Sequence, residues 1–299
     1  MGSASILLVP FGILAERRLP VVRSSRQRCR DVRAGCSRSP KRLMRVASWN
    51  INSLRKRQDR LFEWLEITKP DIICLQETKC TDEQFPELAL RGIGYYSAFH
   101  GEKSYNGVAI LSKAELHDIR VSLCDEVEDP QARAIAATID DVRIYSIYAP
   151  NGQAVGSPAY DYKLKWYSRL RNCLTSELTG NSRLTVAGDF NVAPKNEDVY
   201  DPALWRGAIM CSDGERAAFQ QLCRAELIDT LRLHHREPGL FTWWDYRMLA
   251  FPKNRGLRID GVLASTALAK HCTSSGIDRE MRKGKDPSDH APIWAEFDL

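Results

Sequence analysis

Eight short runs rich in apolar, β-branched and aromatic residues recur along the chain, at 45–49, 71–75, 108–111, 134–139, 142–148, 184–187, 259–264 and 292–297. Each has the length and composition of a strand covered on both faces. The last also alternates, with Ile293, Ala295 and Phe297 on one side. Strands of this kind cannot stand exposed, which confines the chain to stacked sheets with helices outside them. The helices are legible as well. Leu164, Tyr167, Leu170, Leu174 and Leu178 recur at helical spacing, and Leu61, Trp64 and Leu65 mark a second amphipathic stretch. Ser212 and Glu215 have capping-box spacing ahead of Phe219 and Leu222. No repeat and no internal low-complexity linker interrupts the pattern. Residues 44–299 therefore read as one α/β domain, a layered α/β sandwich.

Six of these runs meet an acid, amide, phenol or imidazole at a boundary. Asn50 and Asn52 follow the first, Gln76 and Glu77 the second, and Tyr148 closes the fifth. Asp189 and Asn191 follow 184–187, Asp260 interrupts "LRIDGVL", and Asp289 and His290 precede the last strand. One such residue is ordinarily a turn former, a local hydrogen-bonder or a structural histidine. Six together point to a site, because strand ends are where rigid scaffolds place chemistry. Side-chain alternation predicts that Asp189 and Asn191 face one side of an extended chain, and likewise Asn50 and Asn52. Gly188 is expected to let backbone and substrate approach closely.

The set is rich in oxygen, which suits a hard cation such as Mg²⁺. A single histidine and no Cys/His cluster argue against zinc. No GxxxxGK[ST] loop points to nucleoside triphosphates, and no GxSxG elbow to a serine hydrolase. The residues taken alone imply metal-assisted hydrolysis of a phosphate ester.

The formal net charge of +5 is unevenly placed. The first 43 residues hold ten basic residues against two acids, Glu16 and Asp31, while the rest holds 33 basic and 36 acidic residues. The body is thus slightly acidic, and any nucleic acid must be met by a local basic patch and metal ions. Two readings fit the Arg- and Ser-rich segment 1–43: an organelle transit peptide, or an over-extended start ahead of Met44. On either it is a basic extension, disordered or mis-assigned, and stands apart from the fold. Nine cysteines without a CxxC pair do not look like a disulfide framework and fit a reducing compartment. No run approaches the ~18 apolar residues of a membrane span.

The stretches "SWNINSLR", "IICLQETK", "YAPNG", "GDFNVAP", "FTWWDYR", "NRGLRID" and "SDHAPIW" strongly resemble, in family order, the exonuclease III branch of the AP endonucleases, within the endonuclease/exonuclease/phosphatase superfamily. The resemblance runs from Met44 to Leu299. It implies a four-layered α/β sandwich of two mostly antiparallel sheets. It also implies a Mg²⁺-dependent DNA repair nuclease (Mn²⁺ as an alternative, one or two ions) that cuts 5′ to abasic sites. Trimming of duplex 3′ ends and removal of 3′-phosphates belong to the same expectation. The expected partner is double-stranded DNA with abasic sites or damaged 3′ ends, met by a monomer without membrane attachment, in the cytoplasm at the nucleoid.

Carried over by motif, Glu77 is the principal metal ligand, with Asn50 beside it and Asp289, Asp189, Asn191 and His290 around the ion. Asp189 activates the water, and Asn191 holds that water or the phosphate. His290 polarises the phosphate, fixed by Asp260, and Tyr148 contacts the phosphate. Asn52, Arg133, Trp243, Trp244 and Arg247 are expected at the substrate, only one of the two indoles lining the sugar pocket. Further phosphate contacts are sought among Arg55, Lys56, Arg57, Lys79, Lys163, Arg255 and Arg258. Other phosphoesterases of the superfamily share the Glu, GDxN and SDH elements, but "FTWWDYR" and "NRGLRID" read as the repair branch. A catalytically silent DNA-binding scaffold is disfavoured because Glu77, Asp189 and His290 are all present.

Overall fold

The computed structural model describes residues 42–299 apart from Glu126, so the expectations for the basic extension fall almost wholly outside the described residues. The strands are β1 (Leu43–Asn50), β2 (Ile72–Gln76), β3 (Tyr96–His100), β4 (Val108–Ser112), β5 (His117–Val121), β6 (Ala134–Ile139), β7 (Val142–Tyr148), β8 (Leu184–Asp189), β9 (Leu227–Asp229), β10 (Asp260–Ser265), β11 (Cys272–Ile277) and β12 (Ile293–Asp298). They form two six-stranded sheets, in the orders β11-β12-β1-β2-β4-β3 and β5-β6-β7-β8-β10-β9. Each sheet has one parallel pair, at its centre: β1 with β2, and β7 with β8. All other pairs are antiparallel.

The helices are α1 (Leu54–Thr68), α2 (Glu87–Gly92), α3 (Pro158–Gly180), α4 (Asp213–Arg224), α5 (Thr230–His234) and α6 (Thr266–Ala269). Helix α1 lays Leu54, Leu61, Trp64 and Leu65 on the outer face of the first sheet, against Ala47, Trp49, Ile73 and Leu75. Helices α3 and α4 lay Trp166, Leu170, Leu174, Phe219 and Leu222 on the second, against Tyr145, Ile147, Val186 and Leu263. Each such side chain withdrawn from water contributes about 1.5–3 kcal/mol. The Ser212–Glu215 capping box that starts α4 is formed as expected. The four-layered sandwich is the expected fold. Among the described residues, no helix is long and apolar enough to cross a membrane.

Between the sheets, polarity rises along the strands. The deep layer is apolar, with Val46, Cys74 and Ile144. Two residues further on, Ser48, Gln76 and Ser146 link the sheets: Ser48 Oγ donates to Gln76 Oε1 at 3.2 Å, and Gln76 Nε2 donates to Ser146 Oγ at 3.2 Å. Two residues beyond Ser48 and Ser146 stand Asn50 and Tyr148.

Four strands have no counterpart in the sequence reading: β3, β5, β9 and β11. They are the four edges of the two sheets. An edge strand is covered less completely, so it has no continuous apolar run to reveal it. Every residue of β5 is exposed.

The close backbone approach expected at Gly188 is found, since a Cβ there would stand 2.0 Å from the Ile147 carbonyl oxygen. The cysteine expectation is corrected. Cys124 and Cys173 are joined by a disulfide across a separation of 49 residues. It ties the loop after β5 to α3, a pairing made by tertiary packing and invisible in the cysteine spacing. Arg169 of α3 reinforces the tie, binding Asp125 at 2.7 Å and Asp129 at 2.9 Å. Closing a loop of that length is worth up to about 4 kcal/mol in the chain-entropy treatment. Without reductant, alkylation of the denatured protein should therefore spare Cys124 and Cys173, and reduction should expose both and lower Tm. Labelling of both before reduction would refute the bond.

Candidate active site

The parallel pairs decide where the site can be. In a parallel pair both carboxyl ends point the same way, so β1, β2, β7 and β8 deliver Asn50, Glu77, Tyr148 and Asp189 to one end of the sandwich. Their antiparallel neighbours begin at that end. Asp260 opens β10 directly across from Asp189, and His290 stands three residues ahead of β12.

Glu77 breaks the strand pattern. Alternation would send it, like Leu75, to the helix-covered face. A left-handed backbone, φ +51°, turns it back instead, and its carbonyl accepts from Ser53 N at 2.7 Å. Asn50 Nδ2 then donates to Glu77 Oε1 at 2.8 Å and to Asp189 Oδ2 at 2.9 Å. Asp189 Oδ1 accepts from Asn191 N at 2.8 Å. Asn191 Nδ2 reaches the Ala149 carbonyl at 2.9 Å, and Asn151 Nδ2 reaches Asn191 Oδ1 at 3.2 Å. Asn52 and Asn191 are not extended, with φ of +46° and +51°, so turns rather than alternation aim them. Each turn is closed by its own strand's last amide or acid: Asn52 N donates to Asn50 Oδ1 at 3.0 Å.

His290 Nδ1 meets Asp260 Oδ2 at 2.8 Å, and its Nε2 stands 3.8 Å from Asp189 Oδ2. Burial pushes the imidazole down, but Asp260 and Asp189 outweigh it and carry it up to about 10. With Nδ1 on Asp260, Nε2 is the ring nitrogen left to face Asp189. Burial, with Asp260 adding, pushes the Asp189 carboxyl up to about 7 against the pull of His290 and Asn50. Tyr148 is raised well above the ordinary phenol range by burial and by the charges of Glu77 and Asp189. It stays a protonated donor.

The "SDH" loop is held by its backbone. Ser288 Oγ donates to the Asn50 carbonyl at 2.7 Å and accepts from His290 N at 3.1 Å. Trp49 Nε1 donates to the His290 carbonyl at 3.2 Å. Arg282 donates to the Ser288 carbonyl, and Arg60 caps the carbonyls of Met281 and Lys283 at 2.7 and 2.8 Å. Thr242 Oγ1 accepts from both Ile259 N and Asp260 N at 3.1 Å, which steadies Asp260.

Asp289 spends both oxygens on neighbours. It accepts from Asn52 Nδ2 at 2.8 Å and from Trp243 Nε1 at 3.0 Å. Trp243, part exposed, is thereby fixed beside the site. Trp244 is fully buried, edge-on to Phe241 and Phe251, and supports the loop from behind. Arg133 stacks over Tyr148 at 4.8 Å. Arg247 is exposed and paired with Asp245 at 2.7 Å. Lys79 bridges Glu77 at 2.7 Å and Asn52 Oδ1 at 2.6 Å.

Three of the cations sought as phosphate contacts are unavailable to DNA. Arg57 is buried on the Asn52 and Asp286 carbonyls, Arg258 on Asp198 and Asp229, and Lys163 on Glu215. Most of these partners come from distant segments, so nearness to a motif could not reveal them. Asn151 went unassigned, though it lies at the same kind of strand end as the rest.

Among the described residues, ligand atoms of Glu77, Asp189 and His290 come within 4.8 Å of one another. Four carboxylates face one imidazolium and one lysine, and the buried Asp260 Oδ1 has no hydrogen-bond partner. That excess of hard, negative oxygen fits a divalent cation such as Mg²⁺.

A strand-end cluster of this kind between two sheets can hold a divalent metal beside a phosphate ester. The sequence profile of the Endonuclease/Exonuclease/phosphatase family matches residues 47–290, and the chain belongs to that family. It is a hydrolase of the nuclease kind. It is 37% identical to exodeoxyribonuclease III of Haemophilus influenzae, over 85% of this chain and 100% of that protein. It is 32% identical to the DNA repair nuclease APEX1 of Danio rerio, over 84% of this chain and 81% of that one. The structure superposes on a Neisseria 3′ phosphatase, NExo, bound to a product DNA hairpin, with a TM-score of 0.84, 41% identity, and coverage of 86% of this chain and 100% of the other. An AP endonuclease from Archaeoglobus fulgidus gives a TM-score of 0.82 at 36% identity, with the same coverage.

Calorimetric titration with Mg²⁺ should detect binding that Glu77→Gln weakens by about tenfold or more. Equal affinity in the variant would remove Glu77 from the metal site.

Proposed function

We propose that the protein is a Mg²⁺-dependent DNA repair nuclease of base excision repair. On this reading it hydrolyses the phosphodiester 5′ to abasic sites and trims or dephosphorylates duplex 3′ ends. The observation that carries the reading is the gap between Asp189 Oδ2 and His290 Nε2, 3.8 Å wide and flanked by Glu77 and Tyr148. An acceptor for a water proton thus stands beside a cationic donor for a phosphate oxygen.

Asp189, its aim set by Asn50 and Asn191, takes a proton from the attacking water, whose oxygen forms the new bond to phosphorus. A carboxylate raised toward neutral pH suits that task. His290 donates through Nε2 to the phosphate oxygen on which charge builds, with Asp260 holding the ring and its charge. The bond from phosphorus to the 3′ oxygen breaks, and the Tyr148 hydroxyl is the nearby donor for the departing oxygen. A divalent cation held by Glu77, with Asn50 alongside, would neutralise phosphate and leaving-group charge. Trp243, anchored by Asp289, offers an apolar wall for a sugar that carries no base and is easily turned out of the helix. The relatives that act on DNA, including one bound to a product DNA hairpin, support duplex DNA as the substrate.

A duplex with one abasic-site analogue should be nicked 5′ to the lesion with Mg²⁺ and left whole with EDTA. Asp189→Asn should lower the rate by about a hundredfold or more. Trimming of an intact or 3′-phosphorylated duplex without any nick at the lesion would narrow the reading to 3′-end processing. No cleavage of any of these DNAs by folded, metal-loaded protein would sink it.

A further inference from the structure

Beneath the turns that follow Tyr148 and Asp189, Lys163 and Glu215 form an ion pair with no exposed side-chain surface. All three donors of the ammonium are taken. They go to Glu215 Oε1 at 2.5 Å, the Asn151 carbonyl at 3.0 Å and the Asn191 carbonyl at 2.7 Å. Glu215 is tied in turn to the segment ahead of α4: it accepts from Met210 N at 2.9 Å, Ser212 N at 3.1 Å and Ser212 Oγ at 2.6 Å. Tyr160 Oη lies 2.8 Å from that same hydroxyl. Gly152, at φ +88°, lets its loop cross the lysine stem, since a Cβ there would lie 3.0 Å from Lys163 Cδ.

The two carbonyls on Lys163 belong to the two turns that leave the central parallel pair of the second sheet. One turn follows Tyr148 and carries Asn151. The other follows Asp189 and carries Asn191, in its left-handed conformation. The peptide chain links these contacts to the chemistry: the residue whose carbonyl Lys163 holds is the one whose N–H holds Asp189 Oδ1 at 2.8 Å. Asn151 Nδ2 also reaches Asn191 Oδ1, so both turns move as one unit. An apolar side chain of equal length would fill the space but would leave two buried carbonyls unpaired, and the turns would relax to find partners.

We propose that Lys163 is a positioning residue for the hydrolysis, held by Glu215, which pins the turns after β7 and β8 and through Asn191 sets the aim of the Asp189 carboxylate. The inference rests on the reading of Asp189 as the group that activates water. It assigns no contact with substrate to Lys163, which has no free donor to offer one.

The test compares steady-state cleavage of the abasic duplex by Lys163→Met, Glu215→Gln, Asp189→Asn and the unaltered full chain, each normalised to its folded fraction. Duplex affinity in EDTA is measured alongside. Lys163→Met should lose about 10- to 100-fold in kcat, the scale expected of a small misplacement of a catalytic group, with KM and duplex affinity unchanged. Glu215→Gln can keep one acceptor oxygen for Lys163 and Met210 while its amide NH2 meets the Ser212 N–H, so it should lose Tm while keeping most of kcat. That split separates positioning from mere stability, which would lower Tm in both variants and kcat per folded molecule in neither. Unaltered kcat in Lys163→Met, or a loss confined to KM and duplex affinity, would overturn the proposal. Lys163→Gln serves if the methionine variant does not fold. Failure of both to fold would assign the pair to folding alone and overturn it equally. If Asp189→Asn keeps full activity, the reading of the base has failed; if it is inactive while Lys163→Met is not, only this inference has.

Discussion

Four carboxylates stand at one end of an otherwise dry sandwich, and the rest of the site exists to keep them there. Glu77, Asp189, Asp260 and Asp289 would repel one another and resist burial if left alone. Each is met by a specific donor instead. The Asn50 amide is shared between Glu77 and Asp189, and His290 lies between Asp189 and Asp260. Asn52 and Trp243 take Asp289. Asp260 Oδ1, without a partner, marks where the compensation stops short. The negative charge left over is the physical reason to expect a cation, and the raised Asp189 and His290 follow from the same crowding.

Such crowding needs rigid supports on every side, and the fold supplies them by repetition. Both sheets carry their single parallel pair at the centre, and both pairs aim their carboxyl ends at the site. The layer of Ser48, Gln76 and Ser146 joins the sheets just below it. Behind it, Lys163 holds the turns of the second sheet, and Arg60, Ser288 and Arg282 hold the loop of the first. Of the buried cations that look in sequence like phosphate contacts, Arg57 and Lys163 thus serve the backbone, and Arg258 serves the carboxylates of Asp198 and Asp229.

The eight interior strands and the three long helices were legible because burial on a strand or helix face imposes a period on the residues. The four edge strands were not, because β5 or β11 buries too little to carry one. The strand-end residues of the site were legible for the converse reason: Asn50, Glu77, Tyr148, Asp189, Asp260 and His290 are polar where the pattern demands apolar. What the sequence could not convey is geometry made by turns and by distant partners. Asn52 and Asn191 reach their places through left-handed backbone. Trp243 and Trp244 are adjacent, yet only the first gives its indole N–H to the Asp289 carboxylate. Lys163 meets Glu215 across 52 positions, and Cys124 meets Cys173 across 49.

The most direct test of this account is anomalous diffraction from a Mn²⁺-soaked crystal of the protein with an abasic duplex. The account predicts a metal peak on the Glu77 carboxylate beside Asn50, with a phosphate oxygen within hydrogen-bond distance of His290 Nε2. A metal peak away from Glu77, or a phosphate bound away from the gap between His290 and Asp189, would contradict it.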